Sequence, residues 1–117
     1  MRLAAVYRFT IDQGATFRRV LRWTSGGEPL NLTGFSARME IRTKTGGELL
    51  YRLDTSTGGI TLGGVEGTIQ LHIPASASTA WAWRTGVYDL ELIGPTGDVV
   101  RLIQGGVQVS PEVTTGD

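Results

Sequence analysis

Over residues 36–42 the chain alternates without a break. Ala37, Met39 and Ile41 fall on one parity, and Ser36, Arg38, Glu40 and Arg42 on the other. A strand sends successive side chains to opposite faces, whereas helical spacing would scatter these apolar residues around a cylinder. The pattern therefore specifies a strand with one buried and one wet face. The turn-forming Asn31, Leu32, Thr33 and Gly34 precede it and deliver the chain into the sheet. The surrounding stretch 30–42, LNLTGFSARMEIR, is the organising segment, with its strand over about 35–43. The other strands are expected to pack around it.

The same period of two recurs at 68–73, with Ile69, Leu71 and Ile73 inward, and at 86–92, with Tyr88, Leu90 and Leu92 on one face. Further strands are read at 2–10, a candidate edge strand, and at 16–23, 49–53, 60–62 and 99–109. In 16–23, Phe17, Leu21 and Trp23 share a face with Arg19. Most of the 17 glycines sit in pairs or beside turn formers between these runs, as at 25–29, 44–47, 58–59, 63–67 and 94–98, the punctuation of many short strands. Gly105 and Gly106 mark a bulge or a close backbone approach within the last strand. Residues 11–14 read as a turn. Residues 75–84, rich in alanine and with Ser76 as a candidate cap, predict one short helical crossover between sheets. Some eight or nine strands in 117 residues give an all-β fold, an antiparallel β-sandwich, with a closed barrel as the alternative. One domain spans 1–117, and 110–117 reads as a polar, frayed tail.

Lysine plus arginine and aspartate plus glutamate both count 11, so the formal net charge is zero. Phosphate neutralisation drives nucleic-acid affinity, and this balance argues against a nucleic-acid partner. Zero net charge also favours packing copies side by side. The chain has no cysteine, which removes disulfides and thiolate metal sites and favours folding in the cytoplasm. No apolar run approaches the roughly 20 residues of a membrane span, and the first residues are too polar for a signal peptide. The expectation is a soluble protein starting at Met1, with no membrane partner.

Candidate chemistry is sparse. His72, the single histidine, takes an outward strand position without a specified nucleophile or orienting group, and one histidine does not make a metal site. Asp89 and Glu91 could form a carboxylate pair, but Arg38 and Arg42 on the wet face of another strong strand make cross-strand ion pairing the simpler reading. Asp54 to Gly58 lacks the alternating carboxylates of a calcium loop. The paired glycines lack the lysine of a phosphate loop, and the Asn31-Leu32-Thr33 triplet carries no weight as a glycosylation site. No catalytic residue, metal or cofactor is assigned, and the chain is read as a non-enzyme. The candidate interface residues are Phe17, Arg18 and Arg22, beside Arg19 and Trp23, together with Trp81 and Trp83. Interleaved arginines and aromatics are frequent at protein contacts. Of the two tryptophans, either both close the core or one is exposed as an anchor.

Several stretches in order, IDQGATF, LNLTGFSARMEIR, GGITLGGVEGTIQLHIPASAS and GVYDLELIGPTGDVVRLIQGGVQVSPEVT, resemble a family of small tailed-bacteriophage virion proteins. More distantly, the chain is similar to the N-terminal domain of the lactococcal phage upper baseplate protein, where a Gln-Gly turn, a strand, a Leu-Thr-Gly turn and an alternating arginine-bearing strand follow in that order. The resemblance covers 11–114. It implies an immunoglobulin-like sandwich and a structural role in multiple copies, as a tail, baseplate or collar component. It also implies contacts with other phage structural proteins, and a location in the virion after synthesis in the host cytoplasm. Little chain follows VSPEVT, which suits an adaptor better than a receptor-reaching arm. A capsid decoration protein and a carbohydrate-binding module using Trp81 or Trp83 are the alternatives.

Overall fold

The structure is a computed structural model that describes residues 5–114. The alternating segments form strands where the pattern is strongest: β6 (Ser36–Arg42), β9 (Thr68–Ile73) and β10 (Thr85–Ile93). The others are β1 (Ala5–Val6), β2 (Phe9–Asp12), β3 (Phe17–Arg22), β4 (Thr24–Ser25), β5 (Glu28–Pro29), β7 (Leu49–Asp54), β8 (Ile60–Leu62) and β11 (Val99–Ser110). The large sheet runs β1-β11-β10-β6-β7, with β2 also against β11, and the small sheet runs β3-β9-β8. Apolar faces of both sheets meet in one core that includes Met39, Ile41, Leu53, Ile60, Leu71 and Leu90. Two sheets with this strand order form an immunoglobulin-like β-sandwich. No cysteine bridges the sheets, so packing and hydrogen bonds hold them together.

Strand β10, not β6, occupies the middle of the large sheet, between β11 and β6. It pairs antiparallel with β6, setting Leu90 beside Met39, Tyr88 beside Ile41 and Leu92 beside Ala37. The sandwich is not wholly antiparallel. Both β1 and β2 run parallel to β11, an arrangement that the long connection through the rest of the domain allows. The expected first strand is split. Its described part stops at Val6 and resumes at Phe9, and Ile11 and Asp12 extend it rather than form the turn. Residues 2–4 of that reading lie outside the described residues.

Two readings of β11 separate here. The register shift falls between Leu90 and Glu91 of β10, opposite Ile103 and Arg101, so Leu102 is the bulged residue and turns inward. Gly105 is instead a close approach: a Cβ there would run into the Tyr7 carbonyl oxygen. That carbonyl accepts the Tyr88 hydroxyl at 2.6 Å, which ties the link between β1 and β2 to β10. Across the gap to the small sheet, the Arg19 guanidinium lies 5.3 to 5.9 Å from the Phe17, Phe9 and Tyr7 ring centroids. It donates to the Tyr7 hydroxyl at 2.6 Å. An arginine on the inward parity of β3 is thus accommodated by aromatic faces, which attract a cation.

The crossover helix α1 (Ala75–Thr79) starts from Pro74, not from Ser76, and has no side-chain cap. Proline suits a helix start because its missing N–H would have been unpaired there. Ser78 is fully buried and accepts the Gly14 N–H at 2.8 Å. Gln13 draws the same end together. Its carboxamide donates to the Thr79 and Trp81 carbonyls at 3.2 and 2.9 Å, and accepts the Glu112 N–H at 3.1 Å. Gln13 thus reaches Glu112, within the stretch read as a polar tail; residues 115–117 lie outside the description. Removing these bonds by Gln13→Ala is expected to lower stability by about 1–3 kcal/mol in urea unfolding. It should also speed amide exchange at Trp81 and Glu112; unchanged exchange there would contradict the clasp.

Candidate functional site

The outward parity of the large sheet carries arginines and carboxylates in adjoining rows. Register places Arg101, Glu91, Arg38 and Asp54 across one row, and Gln104, Asp89, Glu40 and Arg52 across the next. Arg38 Nε meets Glu91 Oε1 at 2.8 Å, and Arg101 meets Asp89 at 3.4 Å. Arg42 and Arg52 hold opposite oxygens of Glu40 at 2.8 and 2.7 Å, and Arg52 also reaches Asp54 at 3.0 Å. The cross-strand pairing expected of Arg38 and Glu91 is present. Arg42, however, pairs with Glu40 on its own strand and donates to the Gly47 carbonyl at 2.8 Å. Arg101 pairs across strands with Asp89, whereas Arg52 bridges Glu40 on β6 and Asp54 on its own strand.

All of these side chains but Asp54, which stands beside it, line a shallow trough of about 650 Å³, rimmed by Val6 on one side and by Lys44, Thr45 and Gly46 on the other. The carboxylates differ in electrostatic setting. The Arg42 hydrogen bond, opposed by desolvation and reinforced by Arg52, holds Glu40 below the usual carboxylate range. The Thr57 and Ser56 hydroxyls and Arg52 hold Asp54 well below it. Asp89 lies above it, chiefly because burial disfavours its charge and then because Glu91 repels it; Arg101 offsets part of this. Beneath the sheet, burial raises the Tyr88 phenol well above its ordinary value.

The interface residues expected from the sequence divide. Phe17 is in the core, edge-on to Phe9 at 5.9 Å, so it is not a contact residue. Its parity on β3 faces inward. Arg18 and Arg22 are exposed on the outer face of the small sheet, opposite His72 and Thr68 respectively. Trp81 and Trp83 are half-buried and pack against the core. Their ring centroids are 4.7 Å apart, and Tyr51 meets Trp81 edge-on at 5.3 Å. Trp83 Nε1 is buried without a hydrogen-bond partner. Both indoles thus close one end of the sandwich, against the reading with one fully exposed anchor. His72 stands on the small-sheet face, and none of the hydrogen bonds among the described residues involves its side chain. No group of three or more histidines, aspartates or glutamates among the described residues is placed to hold a metal.

Fold and surfaces together define the class: an immunoglobulin-like sandwich with one internally neutralised face and one basic face. No family model matches the chain, and no curated protein matches it. Among solved structures, it is similar to the extracellular domains of the voltage-gated sodium channel β4 subunit, described as parallel homodimers that explain a role in cell–cell adhesion. Identity is 12%, coverage is 97% of this chain and 98% of that one, and the TM-score is 0.48. At that distance nothing of the β4 domain's role transfers to this chain.

The two carboxylates at the centre of the trough should respond oppositely to neutralisation. Glu40 has a depressed folded value, so its contribution is present at neutral pH and lost as pH falls through that value. Asp89 has a raised folded value, so its ionisation costs stability once pH rises through it. Glu40→Gln is expected to lower the melting temperature at pH 7. Asp89→Asn should raise it at pH 7, with the gain vanishing near pH ~3, where parent Asp89 is protonated. Thermal melts at the two pH values test this, and equal losses in both variants would contradict it.

Proposed function

We propose that this chain is a non-enzymatic structural subunit of a tailed-phage particle, built in multiple copies into the tail, baseplate or collar. The ordered set of sequence motifs carries the reading, and each motif has a structural task. The Gln13-Gly14 turn clasps α1 and the last residues of β11. The Leu32-Thr33-Gly34 turn plugs fully buried Leu32 into the core, and the Asn31 side chain caps the Thr33 N–H at 3.0 Å. The alternating strand that follows supplies half of the ion-paired face. A subunit used for attachment needs a rigid body with broad surfaces, and that is what these motifs build.

Free lateral strands support the same reading. Among the described residues, β7 and β3 each pair on one side only, and an unpaired edge can accept a neighbouring strand. Capsid decoration makes the same demands of the fold and differs only in place. A sugar-binding role is less well supported, since the Trp81 and Trp83 rings pack against each other and Tyr51 instead of offering a shared open platform.

Electron cryomicroscopy of intact particles tests the proposal. Density for the sandwich is expected at the tail, in copies related by the tail's symmetry. Density confined to the shell would replace the tail assignment with decoration, and a particle lacking the protein would overturn the structural role.

A further inference from the structure

The two sheet faces differ in charge balance. On the large sheet, Arg38, Arg42, Arg52 and Arg101 each have a carboxylate partner. The small sheet presents Arg18, Val20 and Arg22 from β3 beside Thr68, Gln70 and His72 from β9. The sequences of β3, β9 and β8, FRRVLR, TIQLHI and ITL, contain no acidic residue. Neither Arg18 nor Arg22 has an ion-pair partner among the described residues. Between them Val20 is 57% exposed. In a strand the two arginines stand about 13 Å apart along the face, so this is a basic stripe with an apolar centre.

The complement of that stripe lies at the adjoining end of the same molecule, beyond Arg22 and Thr68 where β3 ends and β9 begins. Three connections gather at one end of the sandwich: the β4–β5 hairpin with Glu28, the turn at 63–67 with Glu66, and the β10–β11 turn with Asp98. Backbone contacts join them. Trp23 N–H donates to the Gly67 carbonyl at 2.8 Å and Leu32 N–H to the Gly64 carbonyl at 2.8 Å. Gly34 abuts the Pro95 ring. The connecting segments 23–35, 63–67 and 94–98 contain no lysine or arginine. Val65, beside Glu66, is 67% exposed. This end is thus acidic with its own apolar centre.

We infer that the basic face of the small sheet docks the acidic end of a second copy of this chain. This rests on the multi-copy reading above and names the contact within it. Val65 of one copy seats against Val20 of the next, with Glu66 and its neighbouring carboxylates opposite Arg18 and Arg22. Side and end are different patches, so the contact is head-to-tail, and such contacts close into rings or continue as open chains. A ring around a tail axis is the closed case. Exposed charge pairs are screened by salt, so association of free protein is weak and steeply salt-dependent.

Sedimentation velocity on the full chain tests this. The wild type is expected to self-associate reversibly at low ionic strength. Association should weaken roughly tenfold between about 50 and about 300 mM salt. Arg18→Glu with Arg22→Glu should abolish it, as should Glu28→Lys with Glu66→Lys and Asp98→Lys. Mixing the two variants should restore it, because each then supplies the charge the other lost. All five positions are exposed, so melting temperatures should stay near the parent's; if either variant misfolds, glutamine replacements serve instead.

A wild type that stays monomeric at low salt would overturn the inference. So would self-association indifferent to both variants, but that result would leave multi-copy assembly standing through another surface. Binding of a labelled single-stranded oligonucleotide, lost in the arginine variant, would reassign the face to nucleic acid and also overturn it. Failure of the virion role itself is read separately, from the particle density.

Discussion

The rest of the structure depends on the register between β6 and β10. Because side chains alternate, one register sets two surfaces at once. Leu90 beside Met39 and Tyr88 beside Ile41 fall on the inner face, while Glu91 beside Arg38 and Asp89 beside Glu40 fall outside. A slip of one residue would turn the whole inner set of one strand outward and bring its charges into the core. Burying an unpaired arginine or glutamate costs far more than any exposed ion pair returns. The apolar parity therefore fixes the register, and the ion-paired trough follows from it.

The sandwich is closed at its margins by individual side chains rather than by cross-links. Arg19 covers the gap between β2 and β3 by lying over three aromatic rings, and Tyr88 reaches the Tyr7 carbonyl in the link between β1 and β2. Gln13 binds the crossover helix and the end of β11 into one corner. Trp81 and Trp83 fill the region beside Tyr51. Each position looks exceptional in a binary pattern: a charge on an inward parity, a polar turn residue, two large aromatics in an alanine-rich crossover. Each is explained by what it touches. With the margins fastened this way, the two broad faces and the loop-built end remain free for contacts with other molecules.

Much of this was legible beforehand, and the limits are physical. Strands β6, β8, β9 and β10 were readable because strict alternation and glycine-rich turns are local signals. The parallel docking of β1 and β2 on β11 was not, since nothing in the first twelve residues encodes which distant strand they meet. Gly105 and Gly106 read as a bulge or a close approach, because glycine marks both; the position of Tyr7 makes Gly105 the close approach, and the bulge falls at Leu102 instead. Phe17 reads as an interface residue from its arginine neighbours, but its parity with Leu21 points inward, to the core where it packs. The acidic end went unseen because Glu28, Glu66 and Asp98 are far apart in sequence. The available signal was the absence of lysine and arginine from three separate connections.

The register itself is the claim most directly open to measurement. Cross-strand nuclear Overhauser contacts in the folded protein should link Leu90 with Met39 and with Ile103, and the Tyr88 ring with Tyr7 and Phe9. Contacts placing Leu90 opposite Arg38 or Glu40 instead would mean a slipped pairing, and the account of both sheet faces would fall with it.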